Sequence, residues 1–246
     1  MECLTQLTIA AGCVNPNVVR HFRQTLQTIM FWTKTDNKLE NERIVNSFPL
    51  TLKQDVEKVI EFLPLNEHNV LLIDGKIHQV DNLIHPNEQL VFLDKELLKI
   101  PYRLYFNEPS LDQEKLLTDL QKIIINCIYL RHHNGFIRQK RLEQLLDKTE
   151  YFVTPFTFQL LGEYVTEILE VLDKQINPTT IDNYLKFVNE NQKYWTQTKS
   201  RMISYWDVYY RRPKFSKLND YIGKQIVDKI KKRTHNNGFA SMPADV

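Results

Sequence analysis

Residues 110–131 read SLDQEKLLTDLQKIIINCIYLR, and this stretch decides the fold class. Ser110, followed three residues later by Gln113, forms a capping box, the side-chain pattern that closes the first turn of a helix. Behind it, apolar residues recur every three or four positions, as they do on an amphipathic helix. The stretch therefore predicts one helix, through about Arg131, that is central to the fold. Its predicted inner face comprises Leu116, Leu117, Leu120, Ile123, Ile124, Cys127 and Ile128.

The chain beyond this helix carries further helix signals. Asn134-Gly135 predicts a helix end, because glycine takes the left-handed conformation at no steric cost. Thr154-Pro155 and Asn177-Pro178 predict two helix starts, since proline is favoured at the first helical position. Other helices are expected at about 136–147, 196–211 and 216–232.

The chain before residue 110 carries signals for both helices and strands. Asn15-Pro16 predicts a helix start, and Thr51 with Gln54 predicts a capping box at another. Asp74-Gly75 is a dipeptide preferred by tight hairpin turns, and residues 68–108 are interpreted as a small antiparallel sheet. The predicted fold class is mainly α with a small antiparallel β element (α+β), with stacked helical hairpins in the C-terminal half.

This pattern predicts three regions. Residues 1–109 hold the N-terminal helices and the small sheet, residues 110–233 form a helical, repeat-like domain, and residues 234–246 form a disordered tail. Six glycines in 246 residues suit helices joined by short turns. The three cysteines are widely spaced and form no ligand pattern, which favours reduced thiols and a cytoplasmic location.

One helical segment resembles a known repeat family. Residues 134–146 read NGFIRQKRLEQLL and are similar to the second helix of a HEAT-type repeat, in which Asn or Asp precedes a Val/Ile-Arg pair and spaced leucines. The resemblance covers about residues 111–147 and implies a stacked-helix binding surface, with Arg138 in a structural role. The matching positions are Asn134, Ile137, Arg138, Leu142, Leu145 and Leu146.

The last fifth of the chain is basic, and it contains the candidate binding residues. Residues 193–246 carry 12 Lys and Arg residues against four Asp and Glu residues, although the whole chain has a formal net charge of only +2. Aromatic rings beside cations are what a base-stacking or peptide-binding surface needs. The alternative is that the rings fill a seam between helices. The candidates are Arg201, Tyr205, Trp206, Tyr209, Tyr210, Arg211, Arg212, Lys231, Lys232 and Arg233.

Several aromatic and charged residues also have structural interpretations. Helical spacing predicts that Tyr205, Trp206, Tyr209 and Tyr210 share one broad face. Lys231, Lys232 and Arg233 also suit the last turn of a helix, where cations are favoured. The same reasoning predicts a protonated histidine within His132-His133. Three acids, Glu163, Glu167 and Glu170, are predicted to share one helix face, either in solvent or against the basic last helices.

No sequence motif for catalysis or for a metal or cofactor is present, and no apolar run approaches the length of a membrane span. The first interpretation is therefore a non-catalytic cytoplasmic protein-interaction module built on stacked helices, with another protein as its partner. The alternative is a nucleic-acid-binding protein that uses the basic aromatic region. A third interpretation is an enzyme of an unrecognised family, whose site the fold assembles from distant residues.

Overall fold

The computed structural model describes residues 38–65, 70–73, 76–79 and 82–236. The helix predicted at Asn15-Pro16 lies outside these residues, as do the last ten residues of the predicted tail. The chain forms two compact units, Met1–Glu40 and Asn41–Val246. The domain boundaries predicted at 109/110 and 233/234 stay predictions.

The second unit is mainly helical and carries two β-hairpins, which confirms the predicted fold class. Short 3-10 turns occur between the helices, and a π-helical turn, Trp206–Tyr210, follows the helix Gln192–Tyr205. The strands are β1 (Val70–Ile73), β2 (Lys76–Gln79), β3 (Glu88–Leu93) and β4 (Glu96–Pro101). The helices are α1, which ends at residue 45, α2 (Lys53–Ile60), α3 (Leu111–Lys115), α4 (Asp119–Tyr129), α5 (Gly135–Glu143), α6 (Thr154–Phe158), α7 (Thr166–Gln175), α8 (Ile181–Glu190), α9 (Gln192–Tyr205) and α10 (Ile222–Asn236).

The two hairpins are separate antiparallel pairs, not one sheet. Strands β1 and β2 pair Ile73 with Lys76, which confirms the hairpin predicted from the dipeptide between them. Strands β3 and β4 turn at Asp94 and Lys95, both with positive φ, the conformation of a type I′ turn. The interpretation of residues 68–108 as sheet is wrong beyond Pro101, since Leu104 makes only isolated bridges, to Ile84 and His132.

The long helix predicted from Ser110 is two helices. The Ser110–Gln113 capping box is present, but α3 is five residues long. A second capping box, between Thr118 and Gln121, then begins α4. Leu116 lies in the break and is 74% exposed, so its predicted place on the inner face is wrong.

Several other helix boundaries differ from the prediction. Asn134 begins α5 and does not end a helix, because its side chain accepts a hydrogen bond from the amide of Phe136 at 2.9 Å. The helix predicted from Thr154 is interrupted, since residues 163–165 are not helical and α7 begins after them. Thr51 lies in a 3-10 turn, and α2 has no side-chain cap, so the capping box predicted there is absent.

Helix α4 lies at the centre of the described core, as the sequence predicts. Every residue from Ile123 to Leu130 is buried, and the helix packs against α2, α5 and α6. Burial of each large apolar side chain contributes about 1.5–3 kcal/mol. The core fixes α4, and with it the side chains that α4 presents to the cavity beside α3.

Candidate functional site

The predicted aromatic cluster of α9 is divided between two surfaces. Tyr205 and Tyr209 turn toward Tyr164, whereas Trp206 and Tyr210 pack against the core. The prediction of one broad face is therefore wrong. Its physical cause is the π-helical turn, which holds more residues per turn than an α-helix and shifts the angular spacing of the rings.

The outward-facing rings form a tyrosine cluster, which we define as Tyr164, Tyr205 and Tyr209. Their ring centroids lie 5.4 to 6.0 Å apart. Tyr164 is 48% exposed and Tyr209 is 50% exposed. Tyr164 precedes α7, and its carbonyl oxygen accepts a hydrogen bond from the Tyr210 hydroxyl.

The inward-facing rings have structural partners. The indole Nε1 of Trp206 donates a hydrogen bond to the carbonyl oxygen of Phe215 at 2.9 Å. Tyr210 stacks on Tyr221 with ring centroids 5.4 Å apart. These contacts fit the seam interpretation for this pair, although both rings remain partly exposed.

The predicted cations fall into separate groups. Arg211 pairs with Asp207 at 2.8 Å, as helical spacing predicts, and lies over the Trp206 ring. Arg212 is exposed beside it. Arg201 lies against Gly162, where an added Cβ would approach the arginine Cδ to 3.3 Å.

The last three basic candidates lie near the end of α10, whereas Arg201 and Tyr205 lie on α9. Helix α10 packs on α7, α8 and α9, and Arg233 pairs with Asp182 of α8 at 3.2 Å. Lys231 is partly buried and Lys232 is exposed. The assignment of these residues to binding stays a prediction.

A buried ionic cluster was missed by sequence reasoning. Glu163 is only 4% exposed and lies before α7, so it does not share a helix face with Glu167 and Glu170 as predicted. Its carboxylate accepts hydrogen bonds from Arg103 at 2.8 Å and from Arg138 at 3.3 Å. The partners lie 60 and 25 residues away along the chain, too far for a local pattern to reveal.

Arg131 adds a further buried cation to this cluster. Its guanidinium donates hydrogen bonds to the carbonyl oxygens of Pro101 and Tyr102. Burial, reinforced by repulsion from Arg103, lowers the pKa of Arg131 to about 9. Burial also lowers the pKa of Arg138, and the charge of Glu163 opposes this effect.

The surroundings of the two histidines disfavour the protonated form that the sequence predicts at this helix end. His132 is buried, and burial together with repulsion from His133 lowers its pKa to about 4. Burial also lowers the pKa of His133. The cost of burying a charge exceeds the benefit of a cation at the end of α4.

A surface cavity lies between α3 and α4, and this α3–α4 cavity has a volume of about 490 Å³. Three lysines, two carboxylates and two amides surround an apolar floor. It is lined by Leu111, Glu114, Lys115, Asp119, Lys122, Ile123, Ile125, Asn126, Gln144 and Lys148.

Arg141 does not line this cavity, but it binds two side chains that do, Glu114 and Asn126. Its guanidinium donates to Glu114 at 2.9 and 2.5 Å, to Glu108 at 2.7 Å and to the side-chain oxygen of Asn126 at 3.0 Å. Burial lowers the pKa of Arg141, but the hydrogen bonds and charges of the two glutamates outweigh it and raise the pKa. Glu114 and Asn126 are thereby fixed, and the charge of Glu114 is compensated.

Another surface cavity, the β3–α9 cavity, has a volume of about 440 Å³. It lies between one strand of the hairpin and the beginning of α9. Its walls combine amides, aromatic rings and two carboxylates. It is lined by Glu88, Gln89, Leu90, Phe92, Tyr102, Glu190, Asn191, Gln192, Lys193, Tyr194 and Gln197.

No helix among the described residues is long and apolar enough to cross a membrane. Within residues 38–236, excluding the gaps given above, no group of three or more His, Cys, Asp and Glu side chains could hold a metal ion.

Comparison with known proteins gives a partial similarity. No family model matches the chain, and no solved structure matches it. A 3-deoxy-manno-octulosonate cytidylyltransferase of Haemophilus influenzae is 34% identical over 113 residues, which cover 41% of this chain and 43% of that protein. The chain thus spans less than half of the relative.

This similarity corrects the functional interpretation of the sequence. The relative is an enzyme by its name, and a non-catalytic protein-interaction module was the first expectation. That expectation is wrong, because the similarity points to an enzyme. Sequence reasoning missed it because none of the short catalytic motifs that it searched for is present.

Proposed function

We propose that this chain is an enzyme that binds a cytidine nucleotide in the α3–α4 cavity. The observation that carries the proposal is the 34% identity to a cytidylyltransferase, whose name describes transfer of a cytidylyl group. The cavity has the chemistry for such a ligand, because lysines meet an apolar floor there.

The three lysines supply phosphate contacts. Lys115 pairs with Asp112 at 2.8 Å and Lys122 with Asp119 at 3.5 Å, in both cases with an exposed partner. Exposed pairs of this kind contribute little to stability, about 0–1 kcal/mol. A phosphate can therefore replace the carboxylate at little cost, and Lys148 lines the same cavity.

The rest of the cavity suits the base and sugar of a nucleotide. Leu111, which is 73% exposed, offers apolar surface to a planar ring, and the exposed amide of Gln144 can pair with the polar edge of a base. Glu114 does not repel the phosphates strongly, because Arg141 neutralises it.

Isothermal titration with CTP tests the proposal, with Lys122→Gln and Lys148→Gln as variants. Each substitution removes a charge-assisted contact, and we expect affinity to fall about tenfold or more. Lys174→Gln is the matched control, because Lys174 is exposed on α7 and does not line the cavity. Binding of CTP that all three variants leave unchanged would refute this location.

Catalysis is tested separately from binding. The protein is incubated with CTP and 3-deoxy-manno-octulosonate, the compound in the relative's name, and released pyrophosphate is measured. We expect release that depends on both compounds and falls in the lysine variants. No release above a heat-inactivated control would refute this reaction while leaving the binding result to stand alone.

A second candidate function is single-strand nucleic-acid binding at the tyrosine cluster. The observation that favours it is the exposure of the Tyr164 and Tyr209 rings beside the π-helical segment that leads into Arg211 and Arg212. Exposed rings stack on bases, each contributing about 1–3 kcal/mol. Tyr209→Ala should weaken binding to oligo(dT), whereas loss of the three α10 cations, Lys231–Arg233, should both weaken binding at low salt and flatten its salt dependence.

The cytoplasmic location and the HEAT-type resemblance continue as proposals. Cys127 is a free, buried thiol, in keeping with the reducing compartment that the cysteine spacing favours. Fractionation of the expressing cells tests the location.

A further inference from the structure

The β3–α9 cavity differs chemically from the α3–α4 cavity. Glu88 and Glu190 supply acceptors, and the amides of Gln89 and Gln197 supply both donors and acceptors. Aromatic surface comes from Phe92 and the other rings of the wall. One lysine lines this cavity, against three in the other.

We infer that the β3–α9 cavity binds a small carbohydrate. A sugar ring presents hydroxyl groups that both donate and accept hydrogen bonds, which matches carboxylates and amides placed around one space. Its C–H faces are apolar, and they pack on rings such as Phe92 and Tyr102. The volume of about 440 Å³ lies within the range of small-molecule sites.

The charge of the cavity argues against a polyphosphate. One lysine lines this cavity, against three in the α3–α4 cavity, so it offers fewer cationic contacts to a polyphosphate. Hydroxyl groups, by contrast, form charge-assisted hydrogen bonds to carboxylates, and these bonds are stronger than neutral ones. The single Lys193 can additionally pair with the carboxylate of an acidic sugar.

The walls of the cavity are held in place by contacts within the protein. Arg43 binds Glu88 at 2.8 Å, and the carboxylate of Glu190 accepts hydrogen bonds from the Asp94 amide at 3.0 Å and the Tyr151 hydroxyl at 3.1 Å. The side chain of Asn191, which directly precedes α9, is hydrogen-bonded to the backbone of Phe92 in β3. A fixed wall lowers the entropic cost of binding.

This inference does not depend on the nucleotide proposal, and its experiment contains no nucleotide. The protein is titrated with D-glucose, D-mannose and D-glucuronate, and the side-chain amide signals of its glutamines are followed by NMR. We expect at least one sugar to shift the Gln197 amide with saturation. Preference for glucuronate would identify an acidic sugar, and preference for glucose or mannose a neutral one.

Two exposed glutamines provide a matched pair of variants. Gln197 lines the cavity, whereas Gln225, on α10, does not. Gln197→Ala should weaken sugar binding about fivefold or more, since one hydrogen bond is lost, whereas Gln225→Ala should leave it unchanged. The inference is overturned if none of the three sugars binds, or if both variants weaken binding equally.

Discussion

The backbone amide of Asn134 donates a hydrogen bond to Nδ1 of His132 at 3.1 Å. On the opposite side of the ring, Nε2 of His132 lies 3.1 Å from the carbonyl oxygen of Phe106. Because Nδ1 accepts a hydrogen bond, the proton of the neutral ring is on Nε2, which donates to the carbonyl. Both ring nitrogens are satisfied in the neutral form, and protonation of Nδ1 would break one of the two contacts.

This arrangement predicts a loss of stability in mild acid. Burial, with repulsion from His133, lowers the pKa of His132 to about 4, whereas the unfolded chain has a histidine pKa of about 6.5. Between these values only the unfolded state takes up the proton. The free energy of unfolding that neutral His132 contributes is therefore fully present above about pH 6.5. It is lost as pH falls toward 4, by up to about 1.4 kcal/mol per pH unit.

Urea unfolding of the wild type and His132→Gln at pH 7 and pH 4.5 measures this effect. Carboxylates titrate in both proteins, so the informative quantity is the difference between the two losses. We expect the wild type to lose about 2 kcal/mol more than the variant. Equal losses in wild type and His132→Gln would contradict the assignment.

Glu163→Gln should destabilise the protein strongly. The substitution leaves the Arg103 and Arg138 guanidinium groups without the carboxylate that both contact. Breaking a buried ion pair from one side costs about 3–5 kcal/mol. Glu170→Gln, at an exposed position of α7, should stay within about 0.5 kcal/mol of the wild type. A small effect at Glu163, measured by urea unfolding, would mean that water screens the two arginines.

Asn191 fixes the free edge of strand β3. Its side-chain oxygen accepts a hydrogen bond from the Phe92 amide at 2.7 Å, and its nitrogen donates to the Phe92 carbonyl at 2.8 Å. Asn191→Ala removes both contacts and should cost about 1–3 kcal/mol. In hydrogen exchange, the Phe92 amide should lose protection while α4 keeps it. Unchanged protection at Phe92 would contradict this role.

Local signals predicted much of the fold and little of the candidate site. The Ser110 capping box and the β1–β2 hairpin depend on residues within a few positions of each other, and both are present. The contact between Asn191 and Phe92 joins residues 99 positions apart, which no local pattern encodes. The same holds for the partners of Glu163, because tertiary packing alone brings them together.

Leu116 and Ile124 show that hydrophobic periodicity alone does not predict burial. Both fall on one predicted apolar stripe, yet Leu116 is exposed in the break between α3 and α4, and Ile124 is fully buried. Ile124→Ala should therefore cost about 2–5 kcal/mol, because it leaves a cavity in a packed core. Leu116→Ala should stay within about 0.5 kcal/mol of the wild type. Urea midpoints of the two variants decide the matter. Similar destabilisation of both would mean that the helix continues through Leu116, as the sequence pattern predicts, and that the second capping box does not form.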